Sequence, residues 1–324
     1  MNCIIKFLKD WTLIISILAG IFGYFIYVNI PFLDSTHAFA NQAISVIQPV
    51  LIFSMLFITF CKVNPRKLRL RPWHWWLLLI QAGSFTLLGL ILMLLPKSSD
   101  IGVILEGAMI CLICPTATAG AVITKKLGGK VAHITTYTIL INLATALLIP
   151  ALVPLVHPNP EMTVLTSSLL ILGKVFPLLL LPLVAAILIR YLSPRLHFIL
   201  SHYQELSFYL WAVALALATA VTTRSIVHST VAVSIQLWLV FVSFVCCVLQ
   251  FYLGRKIGER YHEKITSGQS LGQKNTVLAI WIGYTFFSPI TSVVGGFYSI
   301  WHNVINTYQL YEHRKKEESK LSKK

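Results

Sequence analysis

The chain has 324 residues, of which 56% are hydrophobic and only 11% charged, with a mean hydropathy of +0.77. A soluble domain carries about 25% charged residues, so a soluble globular protein is excluded and most of the chain belongs in lipid. The net charge of +15 is too unevenly placed to be a nucleic-acid footprint.

Apolar runs recur near residues 11–28, 42–60, 73–95, 101–123, 132–156, 163–189, 204–223, 231–253, 265–287 and 290–311. Each is close to or above the ~20 residues that cross a bilayer as a helix. The predicted fold class is therefore all-α integral membrane, with ten transmembrane helices. Lys6 and Lys9, the first run and Ala38-Phe39-Ala40 together imitate a signal peptide. That run exceeds the roughly 7–15 residues of a signal core, and Pro31 and Asp34 intervene. A retained first span is expected.

The connections alternate in charge. After the second span come Lys62, Arg66, Lys67, Arg69 and Arg71; after the fourth, Lys125, Lys126 and Lys130. Arg190 and Arg195 follow the sixth, and Arg255, Lys256, Arg260 and Lys264 follow the eighth. The tail adds Arg314, Lys315, Lys316, Lys320, Lys323 and Lys324, whereas the odd-numbered connections hold only Lys97 and Arg224. By the positive-inside rule both termini are cytoplasmic. The expected location is the inner membrane, with the lipid bilayer as partner and no nucleic acid. Trp73, Trp75 and Trp76 enter the membrane at the cytoplasmic interface, where tryptophan anchors a span.

His157-Pro158-Asn159-Pro160 divides the spans five and five. Five is odd, so similar halves would be inverted repeats, here 1–157 and 158–311, followed by a charged tail over 312–324. The tail lacks periodicity from Glu312 onward and is expected to be disordered.

Corresponding spans of the two halves are interrupted. The fourth runs through Cys114-Pro115-Thr116-Ala117-Thr118-Ala119-Gly120, the ninth through Gly268-Gln269-Ser270-Leu271-Gly272-Gln273-Lys274-Asn275. In lipid an unpaired backbone amide costs several kcal/mol, so broken helices persist only where protein or a wet cavity receives their freed groups. Paired breaks in two halves point to a binding site between repeats. The expected arrangement is helices 4 and 9 broken and crossing each other.

Lys274 stands out within its span, because a membrane-buried lysine costs at least ~2.5 kcal/mol and marks a functional position by default. Thr116, Thr118 and Thr124 either line the site or bond their own helix. Glu106 and Lys174 lie in apolar runs and either pair, face a cavity or reach water. His302-Asn303 reads as structural and His133 as a solvated helix end. Cys111 and Cys114 form C-x-x-C, but inside an apolar span with no second pair nearby they read as packing residues. No metal or cofactor is expected.

The residues Gln273-Lys274-Asn275-Thr276-Val277-Leu278-Ala279, then Phe287-Ser288-Pro289, then Trp301-His302-Asn303 resemble the G-x-Q-N-x-x-L-A, F-S-P and W-H-N run of the bile acid:sodium symporter family. Pro115 through Thr124 is similar to that family's P-G-G-T-A-S-N-x-x-T segment. The resemblance extends over nearly the whole chain and is to the family's bacterial ten-span homologues. It implies a core of spans 3–5 and 8–10, a panel of spans 1, 2, 6 and 7, and an organic-anion substrate held where the two meet. Substrate-binding residues by this resemblance are Thr116, Thr118, Gly120, Gln273 and Asn275. Gln81 and Thr138 match retained sodium-ligand positions.

The departures from the family pattern concern sodium. Where the family has Ser-Asn in the fourth span, this chain has Gly120-Ala121; where it has a glutamate before the ninth-span asparagine, Ser270 stands beside Gln269; where it has glutamine, Lys274 stands. Sodium, like other hard cations, needs oxygen donors. Ion or charge coupling is therefore assigned to Lys274, Ser270, Gln269, Gln81 and Thr138, with a proton or no ion favoured over sodium.

Gly268-Gln269-Ser270-Leu271-Gly272 also matches G-x-S-x-G, with Lys274 four residues beyond Ser270. A nucleophile elbow needs a strand-to-helix turn, and no strand is predicted, so an intramembrane Ser-Lys hydrolase is the weakest reading and the chain is not expected to be an enzyme. The leading reading is a secondary active or facilitative transporter of an organic anion. A membrane ligand sensor or scaffold that does not transport is the alternative.

Overall fold

A computed structural model describes residues 11–96, 99–203 and 206–321. Lys6 and Lys9 of the signal-like segment, and Lys97, Lys323 and Lys324, used above to orient the chain, lie outside the described residues. The described residues form thirteen α-helices joined by short connections, and no strand. In chain order these are α1 (Thr12–Asn29), α2 (His37–Cys61), α3 (Pro72–Leu94), α4 (Asp100–Ile113), α5 (Ala119–Lys126), α6 (Val131–Val156) and α7 (Val164–Leu192). There follow α8 (Pro194–His202), α9 (Leu206–Val227), α10 (Val233–Glu259), α11 (Lys264–Gly272), α12 (Thr276–Phe286) and α13 (Ser292–Leu321). Seven of them, α1, α2, α3, α6, α7, α9 and α10, are long and apolar enough to cross a membrane.

The boundaries follow local chemistry. Proline opens α3 and α8 at the first turn, where its missing N–H costs nothing. Thr163 caps α7 by accepting from the Thr166 N–H at 3.2 Å. Interior prolines occur at Pro49 in α2, at Pro150 and Pro154 in α6, and at Pro177 and Pro182 in α7. Each removes one helical hydrogen bond, which a membrane bundle tolerates when neighbours supply replacements.

The helices form two layers joined where α6 packs on α7. In one, α9 packs on α1 and α2, and α2 packs on α7. In the other, α10 packs on α11, α13 and α4, while α3 packs on α4 and α6. The outer surface is apolar: Phe22, Leu79, Leu188 and Phe241 are all exposed, as a lipid-facing perimeter requires. Glycine sets one especially close contact. A Cβ on Gly254 of α10 would lie 2.8 Å from the Ser267 carbonyl oxygen of α11, and one on Gly258 would lie 2.6 Å from the Glu263 oxygen. Small residues of this kind let two helices touch backbone to backbone.

Four expectations differ from the structure. The tail is not disordered as far as Leu321, because α13 continues through it; its Glu, Lys and Arg residues are good helix formers extending an existing helix. Trp73 is no interface anchor but fully buried against His74 and Tyr137, while Trp75 and Trp76 remain exposed. The second break is narrower than expected, since Gly268 through Gly272 stay helical in α11. The glycines there give close contact with α10, not flexibility. An additional short helix, α8, lies between α7 and α9.

Candidate functional site

The two interrupted segments meet each other. Between α4 and α5 the chain is extended at Cys114 to Ala117, and between α11 and α12 at Gln273 to Asn275. The Ala117 N–H donates to the Gln273 oxygen at 2.9 Å, and the Asn275 N–H to the Pro115 oxygen at 2.8 Å. Thr116 and Lys274 thus form an antiparallel bridge. Asn275 also caps α12, its side chain accepting from the Leu278 N–H at 3.3 Å.

Each broken helix leaves carbonyl oxygens without helical partners, and protein donors take them. At the end of α4, Gln250 donates to the Cys111 oxygen (3.2 Å), Lys274 Nζ to Leu112 (3.3 Å) and Thr145 to Ile113 (3.0 Å). The Gln81 amide donates to Ile113 at 3.2 Å and Cys114 at 2.8 Å, while its own oxygen accepts from Tyr137 at 2.9 Å. At the end of α11, Thr116 donates to the Ser270 oxygen (2.6 Å) and Tyr298 to Gly272 (2.8 Å). Cys114 donates to the Asn275 oxygen at 2.8 Å. The crossing is closed by hydrogen bonds.

The charge at its centre is Lys274. Its side chain is 1% exposed, and it has no ion pair among the described residues. Cys111 and Cys114 are buried with no metal-binding cluster around them among the described residues.

Several other expected positions make hydrogen bonds inside the protein. Ser270 Oγ donates to the Thr266 oxygen at 2.8 Å and Thr138 Oγ1 to Ile134 at 2.9 Å, both within their own helices. Gln269 donates to Asn306 at 2.9 Å and Gln309 at 3.1 Å. Gly120 has little room: a Cβ there would lie 3.2 Å from Ile134 Cδ1 and 3.7 Å from Gln273 Oε1. That Gln273 oxygen is buried without a hydrogen-bond partner, and Thr118 is half-buried at the start of α5.

A cavity lies elsewhere. It is partly open, with a volume of about 1140 Å³, and is lined by α1, α2 and α9 on one side and α12 on the other, with Lys174 entering from α7. Tyr24, Tyr27, Trp281 and Tyr284 give it aromatic walls, and Gln48 lines it as a buried amide. Two cations reach it, Lys174 and Arg224, and no Asp or Glu is among the described residues lining it. Arg224 is held by Asn41 Oδ1, and Tyr24 bonds His228 at 3.0 Å. Lys174 has no such partner among the described residues. It is not paired with Glu106, which instead accepts from the Ser288 N–H at 3.2 Å and lies 3.1 Å from His157.

The resemblance placed the substrate where the panel and core spans meet, and Lys174, singled out from the sequence, lines this cavity; none of its other lining residues was among the expected substrate ligands. Arg224 carried a signal, being a basic residue on the side that the charge rule leaves nearly bare.

A charged cluster joins α3, α6 and α11 at the basic end of the bundle. The Glu263 carboxylate lies 3.4 Å from Arg71 Nε, 3.3 Å from Lys130 Nζ and 2.7 Å from His133 Nδ1. Burial works to raise its pKa, but the His133 bond and the Lys130 charge outweigh burial and hold it below the usual carboxylate range. His133, expected to be a solvated end, is buried in this pairing. His302 is buried beside the Tyr298 ring, and Asn303 donates to the Ser299 oxygen of its own helix at 2.6 Å.

The profile of the SBF-like CPA transporter family matches residues 10–302. No curated protein matches the chain significantly.

Proposed function

The chain belongs to the SBF-like CPA transporter family of multi-pass membrane proteins, and we propose that it is a secondary transporter carrying an organic anion by alternating access. The observation that carries this reading is the cavity of about 1140 Å³, reached by Lys174 and Arg224 and by no carboxylate among its described lining. A lysine without a partner inside an apolar helix is costly in lipid and marks a solute path. Its volume slightly exceeds the roughly 300–1,000 Å³ usual for small-molecule pockets, which favours a bulky anion with an apolar body against Trp281 and the tyrosines. Thr118, Gly120 and the unpartnered Gln273 oxygen mark where that solute would meet the crossing, with Thr116 and Asn275 shaping the backbone there.

In this proposal α4–α5 and α11–α12 each count as one broken span, and α13 completes ten. Residues 1–157 and 158–311 then form two inverted repeats, followed by the charged tail. The layer of α1, α2, α7 and α9 moves against the layer holding the crossing, so the cavity between them faces each side in turn. The concentration of basic residues on one side supports an inner-membrane protein with both termini cytoplasmic.

Coupling to a proton, or to no ion, is favoured over sodium. Sodium would need several free oxygens, whereas the crossing's carbonyls are engaged by Gln81, Thr116, Thr145, Gln250, Lys274 and Tyr298. Lys274 provides a tethered positive charge where the family resemblance expects a bound cation. Gln81 holds the end of α4 and Gln269 ties α11 to α13, while Ser270 and Thr138 would share in the charge coupling with Lys274.

The test is solute flux in proteoliposomes after a thermal-shift screen of carboxylates and sulfonates. Anions that stabilise the protein and cross the membrane with it support the proposal. Hits confined to cations or neutral sugars would overturn it. Binding with no flux would indicate a sensor built on a transporter fold.

A further inference from the structure

A second, smaller cavity of about 160 Å³ lies at the basic end of the bundle. Its walls come from both layers: Phe60 of α2, Ile139 of α6, and Leu183, Ala186 and Ile187 of α7. Among the described residues lining it, Arg190 and His197 are the polar ones. A cavity of roughly 150 Å³ walled by apolar side chains stays dry and takes apolar ligands. Ile187 is 37% exposed, and its neighbours Val184 and Leu188 face outward on α7, so this cavity adjoins the lipid perimeter.

The segments that supply its walls are basic. Lys62, Arg66, Lys67, Arg69 and Arg71 lie in segment 60–71, and Arg190 and Arg195 in segment 183–202; neither segment holds an Asp or Glu, although Arg71 is paired with Glu263. Arg190 spends one N–H on the Val63 oxygen at 2.8 Å, leaving most of its five donors for a ligand. His197 Nε2 is buried and without a hydrogen-bond partner. Helix α8, which carries His197, exposes Leu196, Phe198 and Ile199, as a short helix lying at headgroup depth does.

We propose that this cavity is a binding site for an anionic phospholipid, one acyl chain entering between α2, α6 and α7 and the phosphate resting on Arg190 and His197. An apolar slot ending in arginine at the membrane surface matches both parts of such a lipid, and basic pockets between spans bind lipid phosphates in this way. The site lies where the α2–α7 layer meets α6, so bound lipid ties the two layers together at their basic end.

The test is thermal unfolding of the detergent-purified full chain with phosphatidylglycerol, phosphatidylcholine or inorganic phosphate added. Phosphatidylglycerol is expected to raise the midpoint by a few degrees at saturation, as a ligand selective for the folded state does. Ala186→Leu fills the slot and leaves the rim intact; it should remove that shift. His197→Leu removes a headgroup donor and should shrink it. An equal shift with phosphatidylcholine, an equal shift with phosphate alone, or a full shift in Ala186→Leu would each overturn the proposal. Should Ala186→Leu not fold, native mass spectrometry of the wild type decides: phosphatidylglycerol retained over phosphatidylcholine supports the site, and no preference overturns it.

Discussion

The ammonium of Lys274, carried by the break between α11 and α12, lies 3.3 Å from the carbonyl oxygen of Leu112 near the end of α4. One broken helix thus supplies a donor to a terminal carbonyl of the other. Lys274→Met should leave that buried carbonyl unpaired, at a cost of about 1–3 kcal/mol. Transport should fall by at least ~10-fold, roughly the effect of such a loss if it also acts on the cycle. Wild-type uptake should be unchanged when sodium is replaced by potassium or choline. Uptake that collapses without sodium, or full activity in Lys274→Met under every ion condition, would refute the role given to this residue.

Gln81 and Thr138 occupy the two positions that resemble sodium ligands, yet their bonds predict opposite sensitivities. Gln81 satisfies two backbone oxygens and one tyrosine hydroxyl, so Gln81→Leu should destabilise the protein by about 1–3 kcal/mol for each buried group left unpaired. Thr138 bonds only within its own helix, and Thr138→Val should be within about 1 kcal/mol of wild type. Thermal midpoints of the two variants in detergent check this; similar losses would count against it.

Glu263 makes stability depend on pH. Its folded pKa is below the ordinary 4.5, so its contribution is fully present above that value and is lost as pH falls through the folded pKa. The wild type should weaken on acidification below pH 4.5, whereas Glu263→Gln should be less stable at neutral pH and lose part of that acid dependence. Midpoints measured across pH 3–7 test the sign. An acid limb unchanged in Glu263→Gln would show that other carboxylates dominate.

Much of the fold was legible because lipid imposes strong local rules. The apolar runs at 73–95 and 132–156 match α3 (Pro72–Leu94) and α6 (Val131–Val156) within one residue at every boundary. Pro115 announced the first break, since proline removes a helical donor. Gly268 and Gly272 looked like breakers but serve close packing, with a Cβ on Gly268 coming within 2.5 Å of Arg255 Cγ. Nothing local tells those two uses of glycine apart. Contacts such as His133 with Glu263, 130 residues apart, depend on how α6 meets the α10–α11 turn. Most of the cavity's lining residues were hidden for the same reason, its walls coming from five helices.

Lys174 and Arg224 offer the most direct test of the anion site. Both reach the cavity, but only Arg224 is already held, by Asn41. Removing one charged donor from a bound anion forfeits about 1.5–3 kcal/mol, which is roughly 10- to 100-fold in affinity. Lys174→Gln should therefore weaken binding of the anion identified by screening within that range. Arg224→Lys keeps the charge but loses the planar fork that meets both Asn41 and a carboxylate, so its loss should be smaller than that of Arg224→Gln. None of these substitutions should change the affinity of an uncharged analogue with the same apolar body, since that contact rests on Trp281 and the tyrosines. Binding by calorimetry for anion and analogue separates the outcomes. Equal losses for both ligands would mean the substitutions reshape the cavity, and no loss for either would place the anion elsewhere in the protein.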